Sequence, residues 1–325
     1  RKILMKNRDE VDSELLVFFI DASIYIFQAH FSPYINCSNE KGEDLSALFG
    51  FTQFLIQLVR RIQPRFIAVA HDESLFTGFR HKLSPDYKSN RELPDENLGM
   101  QLAGCHEVSS LLGMSTFSSK VYEADDIIGT LATKIRLSTP NTSIQILTKD
   151  KDLAQLLTKE QDCLWDFSAN KRRYSDDILD EFGISPNQFS DYLGLVGDAV
   201  DCISGVPGVG PVKAKILLQE FGSLEEIYRN IDEVPKLTIR GSLNLMNTLR
   251  ENKEVAFLSK SLATIACNVD DENESFTSIS LNKLGVRGID RSAFSLFLNK
   301  YKFRESDKKR LQSMIADLNR QNTQD

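Results

Sequence analysis

The chain has 325 residues, 41% hydrophobic and 26% charged, which marks an ordinary soluble protein with apolar material for one large α/β body or two domains. No apolar run approaches the roughly 20 residues a membrane helix needs, and five scattered cysteines (Cys37, Cys105, Cys163, Cys202, Cys267) without a Cys-x-x-Cys pair speak for buried thiols in a reducing compartment rather than disulfides or zinc. A net charge of −7, taken alone, argues against a nucleic-acid partner.

In chain order, residues 15–20 read as a buried strand and 46–62 as an amphipathic helix, N-capped by Ser46 and stopped at Pro64. A strand follows at 66–70, helices at 97–112 and 124–137, and a strand at 144–148 after a Thr-Pro-Asn turn. This alternation predicts an α/β fold, a mostly parallel central sheet flanked by helices. Between residues 73 and 98 runs a polar stretch too long for a simple connection. Its Phe79, Arg80, Lys82, Tyr87, Lys88 and Arg91 suit contact with a nucleic-acid backbone and stacking on bases. After about residue 175 the pattern turns helical, at 176–182, 186–196, 211–221 and 224–230, and stays helical beyond Pro235. The expected organisation is an N-terminal extension (1–14), an α/β core (15–174), a helical region (175–305) and a frayed, charged tail (306–325), in one compact body. The chain begins at Arg1 rather than Met, so its natural start is expected upstream, and no secretory signal is read.

Nine carboxylates carry the chemistry. Asp21, Asp72 and Asp150 each close an apolar strand run, the place where open α/β sheets bind ligands. Glu123, Asp125 and Asp126 open a helix; capping accounts for acids in a first turn, but three in four positions exceed that need. Asp152 follows Asp150 by two residues, and Asp198 and Asp201 stand three apart, able to face one ion together. Gathered carboxylates repel and raise each other's pKa unless cations neutralise them. Hard divalent ions such as Mg²⁺ or Mn²⁺ take such oxygen ligands. The acidic balance then reflects a site, while the bases are grouped: Arg60, Arg61 and Arg65; Arg80, Lys82, Lys88 and Arg91; Lys171 to Arg173; Lys213 and Lys215; and the stretch from Lys300 to Arg310. Such grouping is compatible with a phosphate-binding track. The four histidines lack metal-ligand spacing, and His71, beside Asp72, reads as a packing or supporting residue.

Three residues separate Asp201 from Gly205-Val206-Pro207-Gly208-Val209-Gly210-Pro211-Val212-Lys213-Ala214-Lys215. The glycines permit positive φ and close approach, and Pro211 suits a first helical position. The segment 197–221 resembles a helix-hairpin-helix motif, whose backbone amides and trailing lysines hold DNA phosphates without reading bases. It is not a P-loop, since Gly-x-x-x-x-Gly-Lys-Ser/Thr is absent.

With these residues in place, the chain resembles the 5′-nucleases of the flap endonuclease superfamily, among them the N-terminal 5′–3′ exonuclease domain of bacterial DNA polymerase I, over residues 15–303 and here as a stand-alone protein. The resemblance implies a PIN-like fold with a helix-three-turn-helix C-terminal region. It implies that Asp21, Asp72, Glu123, Asp125 and Asp126 serve a first metal, and Asp150, Asp152, Asp198 and Asp201 a second. Lys88 would approach the scissile phosphate with Arg80 and Arg91 beside it, and Tyr87 would stack on the terminal base. Gly205, Val206, Gly208, Val209, Gly210, Lys213 and Lys215 would hold duplex DNA, with a K⁺ ion on the hairpin carbonyls. Residues 73–110 would form an arch for a 5′ single strand. The implied activity is two-metal hydrolysis by Mg²⁺, or Mn²⁺ in its place, as 5′–3′ exonuclease and 5′-flap endonuclease. The implied substrate is DNA with a 5′ single-stranded end or flap joined to duplex, acted on by a monomer in replication or repair. The implied setting is the bacterial cytoplasm, near the nucleoid, with an organelle left open. Three positions depart from the family pattern: Ala22 and Cys202 stand where glycine and asparagine are usual, and Gln28 where an arginine is common. A DNA-binding protein without catalysis is the first rival, and the complete acid set opposes it. A PIN-like RNA nuclease is the second, and it would not need the hairpin with its lysines.

Overall fold

The computed structural model describes residues 15–271, 276 and 278–321; the expected extension 1–14 and residues 322–325 of the expected tail lie outside the described residues. Strand β1 (Leu15–Asp21) leads into α1 (Ala22–His30) and α2 (Ser46–Ile62), then β2 (Phe66–Asp72), α3 (Phe79–Leu83), α4 (Glu96–Leu111) and β3 (Ser115–Ser119). Helix α5 (Ala124–Ser138) precedes β4 (Thr142–Leu147), β5 (Cys163–Asp166) and β6 (Lys171–Arg173). Helices follow: α6 (Ser175–Phe182), α7 (Phe189–Val196), α8 (Pro211–Phe221), α9 (Leu224–Arg229), α10 (Ser242–Glu251), α11 (Lys253–Ala263), α12 (Arg291–Lys300) and α13 (Glu305–Gln321).

The strands lie in the order β3-β2-β1-β4-β5-β6, the first five parallel and β6 antiparallel at the edge. Alternation along the strands divides the core. Val17 and Phe19 of β1 join Ile144 and Ile146 of β4 on the face covered by α5 and the α7–α11 helices. Phe18 and Ile20 join Ile67, Val69 and Leu147 on the other face, against α1, α2, α4, α12 and α13. Sequential connections run outward from β1 to β3 on one side and from β4 to β6 on the other. The order therefore reverses between β1 and β4, and a crevice opens at their carboxyl ends. Asp21 ends β1 and Asp72 ends β2, while Asp150 follows β4, so all three reach that edge.

The parallel sheet agrees with the sequence, but three strands were not expected. β3 is Ser-Thr-Phe-Ser-Ser, without an apolar run, and takes its place by pairing with β2. β5 and β6 span only four and three residues. Ser46 is not the N-cap of α2; Leu45 holds that position, and the Ser46 hydroxyl donates to Asp44 Oδ1 at 2.6 Å while accepting from Cys37 N–H. The expected frayed end over 306–325 is instead α13 as far as Gln321, with Leu311, Ile315 and Leu318 buried against the α2 face. A charged exterior masked an apolar stripe at spacings of four and three. His71 is a packing residue as expected: its ring lies edge-on to Phe51, and its Nε2 is 3.2 Å from Ser109 Oγ. Among the described residues no helix is long and apolar enough to cross a membrane.

Candidate active site

Each strand-end acid is fixed by short polar contacts. Asp72 accepts from Ser23 Oγ at 2.8 Å and, through Oδ1, from the Ala124 N–H at 2.7 Å, so it sits on the first free amide of α5 and draws that helix to the sheet edge. Asp21 is 5% exposed and accepts from Thr148 Oγ1 at 2.9 Å. Thr148 Oγ1 also takes the Asp150 N–H, and Asp150 Oδ1 takes the Asp152 N–H, which winds residues 148–152 tightly after β4. Burial, with the charges of Asp72 and Asp150, pushes the Asp21 carboxyl up to about 8. Asp125 is driven well above its ordinary value by burial and by Asp150, Asp21 and Asp72. Four carboxyls from four separate segments therefore gather at the crevice.

Beside them stands Lys88, whose φ of 50° places its backbone in the left-handed region, a costly conformation for a residue with a side chain. Its N–H donates to the Asp201 carbonyl at 3.0 Å, and Asn90 Nδ2 reaches the Val200 carbonyl at 3.2 Å, so the 84–91 turn is tied to the 198–202 loop. The Lys88 ammonium lies 2.6 Å from Glu123 Oε1 and 3.7 Å from Asp201 Oδ2. Burial disfavours the charge on Lys88, but Glu123, Tyr87 and Asp201 outweigh it and hold the amine well above its ordinary range. Arg91, half exposed, pairs with Asp201 Oδ1 at 2.8 Å.

Asp198 closes the other end of the crevice in a two-way backbone bridge with Ile203. Its Oδ1 accepts from the Val200 N–H at 2.8 Å, and its Oδ2 lies 2.7 Å from Lys151 Nζ. Burial raises Asp198, but Lys151 and the Val200 amide prevail and hold it below the ordinary carboxylate range. Burial and Asp150 push Asp152 up to about 7.

Three sequence expectations change. Asp126 is fully buried, and both its oxygens are taken: Arg80 Nη1 at 2.6 Å and the Glu123 N–H at 3.1 Å on Oδ2, Arg80 Nη2 and the Ala266 N–H on Oδ1, both at 2.8 Å. With every lone pair committed, Asp126 anchors α5 rather than offering an oxygen to a metal. Arg80, 3% exposed, is spent on Asp126, Glu123 and the carbonyls of Leu262 and Thr264, so it cannot reach a phosphate from this position. Tyr87 is 2% exposed and its hydroxyl donates to Glu123 Oε2 at 2.9 Å, so its ring is core and unavailable to stack on a base. Residues the sequence reading passed over are Ser23, Thr148 and Lys151. Only Lys151, flanked by Asp150 and Asp152, left a signal.

In the hairpin, Gly197 and Gly205 have φ of 75° and 64°, and a Cβ on Gly205 would stand 2.3 Å from Gly197 N, so two backbones cross where no side chain fits. Val206 and Val209 are buried and their N–H groups go to Leu195 and Val206 carbonyls, while the Gly205 N–H goes to Ser259 Oγ. These three fix the turn. Gly208 and Gly210 face open space, and Lys213 Nζ sits 2.9 Å from the Gly208 carbonyl. Lys215 is exposed, its stem packed over Gly183.

The donor set fits hard divalent ions: the crevice gathers carboxylates from several segments, and Asp152 Oδ1 is buried without a hydrogen bond. Among the described residues no group of three or more His, Cys, Asp or Glu is yet set to hold an ion; the ammonium groups of Lys88 and Lys151 stand between the acids.

A family model described as 5′-3′ exonuclease, N-terminal resolvase-like domain matches residues 16–183, and one described as 5′-3′ exonuclease, C-terminal SAM fold matches 184–292. The chain belongs to the 5′-3′ exonuclease family. It is 35% identical to the 5′-3′ exonuclease of Buchnera aphidicola subsp. Baizongia pistaciae over 291 residues, 87% of this chain and 90% of that protein. It is 36% identical to DNA polymerase I of Pseudomonas aeruginosa over 260 residues, 79% of this chain but 28% of the polymerase. Two solved structures share the fold. One is T5 5′-exonuclease with bound zinc, at TM-score 0.61 and 17% identity, covering 93% of this chain and 99% of that one. The other is the catalytic core of Rad2 in complex with DNA substrate, at 0.57 and 16%, covering 94% and 92%. As a member of this exonuclease family the chain carries the mostly parallel sheet with a helical C-terminal region that the sequence implied.

Proposed function

We propose that this 5′-3′ exonuclease-family chain is a structure-specific nuclease that hydrolyses DNA at the junction of a 5′ single strand and duplex, using divalent ions at the crevice. The observation that carries the reading is the convergence of Asp21, Asp72, Asp125 and Asp150 from four segments, with Lys88 held beside them in a left-handed backbone. Asp21, Asp72, Glu123 and Asp125 would hold one ion, and Asp150, Asp152, Asp198 and Asp201 a second. Bound Mg²⁺, or Mn²⁺ in its place, would supply a water of lowered pKa and charge stabilisation on the phosphate and the leaving oxygen. The protein's part is to orient these acids and to present the Lys88 ammonium where negative charge develops. Arg91, the more exposed base, would take a neighbouring phosphate. Gly208, Gly210, Lys213 and Lys215 offer the open part of the hairpin to a duplex backbone, a contact that reads shape rather than sequence. Residues 73–110 would guide the 5′ strand. The bound zinc of T5 5′-exonuclease and the DNA substrate held by the catalytic core of Rad2 support the same reading.

The test is Asp125→Asn, which keeps shape and removes charge. Single-turnover cleavage of a 5′-flap DNA should fall by about 10³-fold or more, while binding followed by fluorescence anisotropy stays within about threefold of wild type. Undiminished cleavage in the variant would refute the site. A matched RNA flap cut faster than the DNA flap would refute the substrate.

A further inference from the structure

Lys151 is placed by its backbone, not by chance of side-chain packing. Asp150 N–H on Thr148 Oγ1 and Asp152 N–H on Asp150 Oδ1 wind the chain so that Lys151 precedes a single 3-10 turn, Asp152–Leu156, and turns toward the 198–202 loop. Lys149, two residues earlier, points the other way and stands 4.0 Å from Asp166. The Lys151 ammonium lies 2.7 Å from Asp198 Oδ2 and 3.2 Å from Asp152 Oδ1. Asp198 Oδ1 is already occupied by the Val200 N–H, so Oδ2 is the oxygen left for a ligand. Asp152 Oδ1 is buried and has no hydrogen bond of good geometry, since the lysine is near but poorly aligned. One ammonium therefore occupies the point on which the free oxygens of two carboxylates from different segments converge.

We propose that Lys151 is a built-in cation of the second carboxylate set: it neutralises Asp152 and Asp198 before a divalent ion arrives and competes with that ion for them. This rests on the metal reading above and deepens it. A single charge on a flexible stem, 38% exposed, offsets the repulsion of the acids and can swing out to solvent when a doubly charged ion enters. The fold thus keeps its second site assembled without metal, at the cost of weaker ion binding. Lys151 is a positioning residue for the metal rather than a catalytic one.

The experiment is calorimetric titration of Mn²⁺ into the DNA-free protein, for wild type, Lys151→Gln and Lys149→Gln. Removing a competing, partly exposed ion pair should tighten the weaker of two Mn²⁺ binding events by roughly three- to tenfold in Lys151→Gln. Lys149→Gln, with the same change of net charge, should stay within about twofold of wild type. In EDTA the Lys151→Gln protein should melt earlier than wild type, and Mn²⁺ should raise its midpoint by more, a split that a merely structural lysine would not produce. Unchanged or weaker Mn²⁺ binding in Lys151→Gln, with wild type binding normally, overturns the proposal and leaves the metal reading standing. Equal tightening in both variants also overturns it, since net charge alone would then be the cause. No Mn²⁺ binding by any of the three overturns the metal reading and this proposal with it.

Discussion

Arg80 and Lys88 lie eight residues apart on one polar segment, and burial gives them opposite tasks. Arg80 is enclosed with Asp126 in a bidentate pair and bridges α5 to the Leu262 and Thr264 carbonyls at the end of α11. Removing one partner of a buried pair leaves an uncompensated charge, so Arg80→Met should lower stability by about 3–5 kcal/mol in urea unfolding. If Arg80 instead served only DNA, stability would be unchanged and affinity alone would fall. Lys88 can keep its amine among acids because the 84–91 turn is tied to the Asp201 loop through backbone contacts. The sequence marked both residues as basic and adjacent to aromatics, and from that pattern they looked alike. Which of them is enclosed depends on α5 and the end of α11, some 40 and 180 residues away, and no local spacing encodes it. For the same reason Asp126 was indistinguishable from Asp125. Neighbours on a helix face different partners, and here one turns inward to Arg80 while the other faces Asp21 and Asp150.

At the scale of elements, the legible parts were those with strong periodicity or a fixed chemical signal. β1, β2 and β4 are apolar runs, and α8 begins at Pro211 as its ring geometry favours. β3 was illegible because a Ser-rich strand owes its state to its neighbour β2. α13 was misjudged because its charged residues outnumber the stripe that packs on α2. Leu311 is fully buried there, 8 residues after Phe303, which is also fully buried. Leu311→Ala should therefore cost about 2–5 kcal/mol. A loss below about 0.5 kcal/mol, read by chemical unfolding, would return this helix to the status of a loose end.

For the whole molecule, the acidic crevice links stability to pH and metal. In the metal-free fold Asp21 retains its proton up to about pH 8, and Asp152 up to about 7. An aspartate in the unfolded chain loses its proton near ~3.9. Between those limits the native state binds more protons than the unfolded state, so stability falls as pH rises. Asp125 acts in the same direction; Glu123 and Asp198, held below the ordinary range, act oppositely at the acid end, and His71, lowered to about 3 by burial, acts oppositely up to its ordinary value of 6.5. In EDTA the melting midpoint should decline most clearly from about pH 6.5 to about pH 8, and Mg²⁺ should flatten or reverse the decline by favouring the ionised acids. A flat profile in EDTA would mean that the carboxyls do not face one another. Many of the acids thus gather at one crevice, and the bases proposed to face DNA lie beside it on the 84–91 turn and the hairpin. The most direct measurement is the single-turnover cleavage rate of a 5′-flap DNA by the wild-type chain as Mg²⁺ is titrated from EDTA upward, with the cut mapped. No cleavage in EDTA, and a rate that rises with Mg²⁺ to a plateau with cutting at the strand-duplex junction, is the predicted result. Cleavage that persists in EDTA, or a folded chain that binds the flap and cuts nothing at saturating Mg²⁺, would contradict the account.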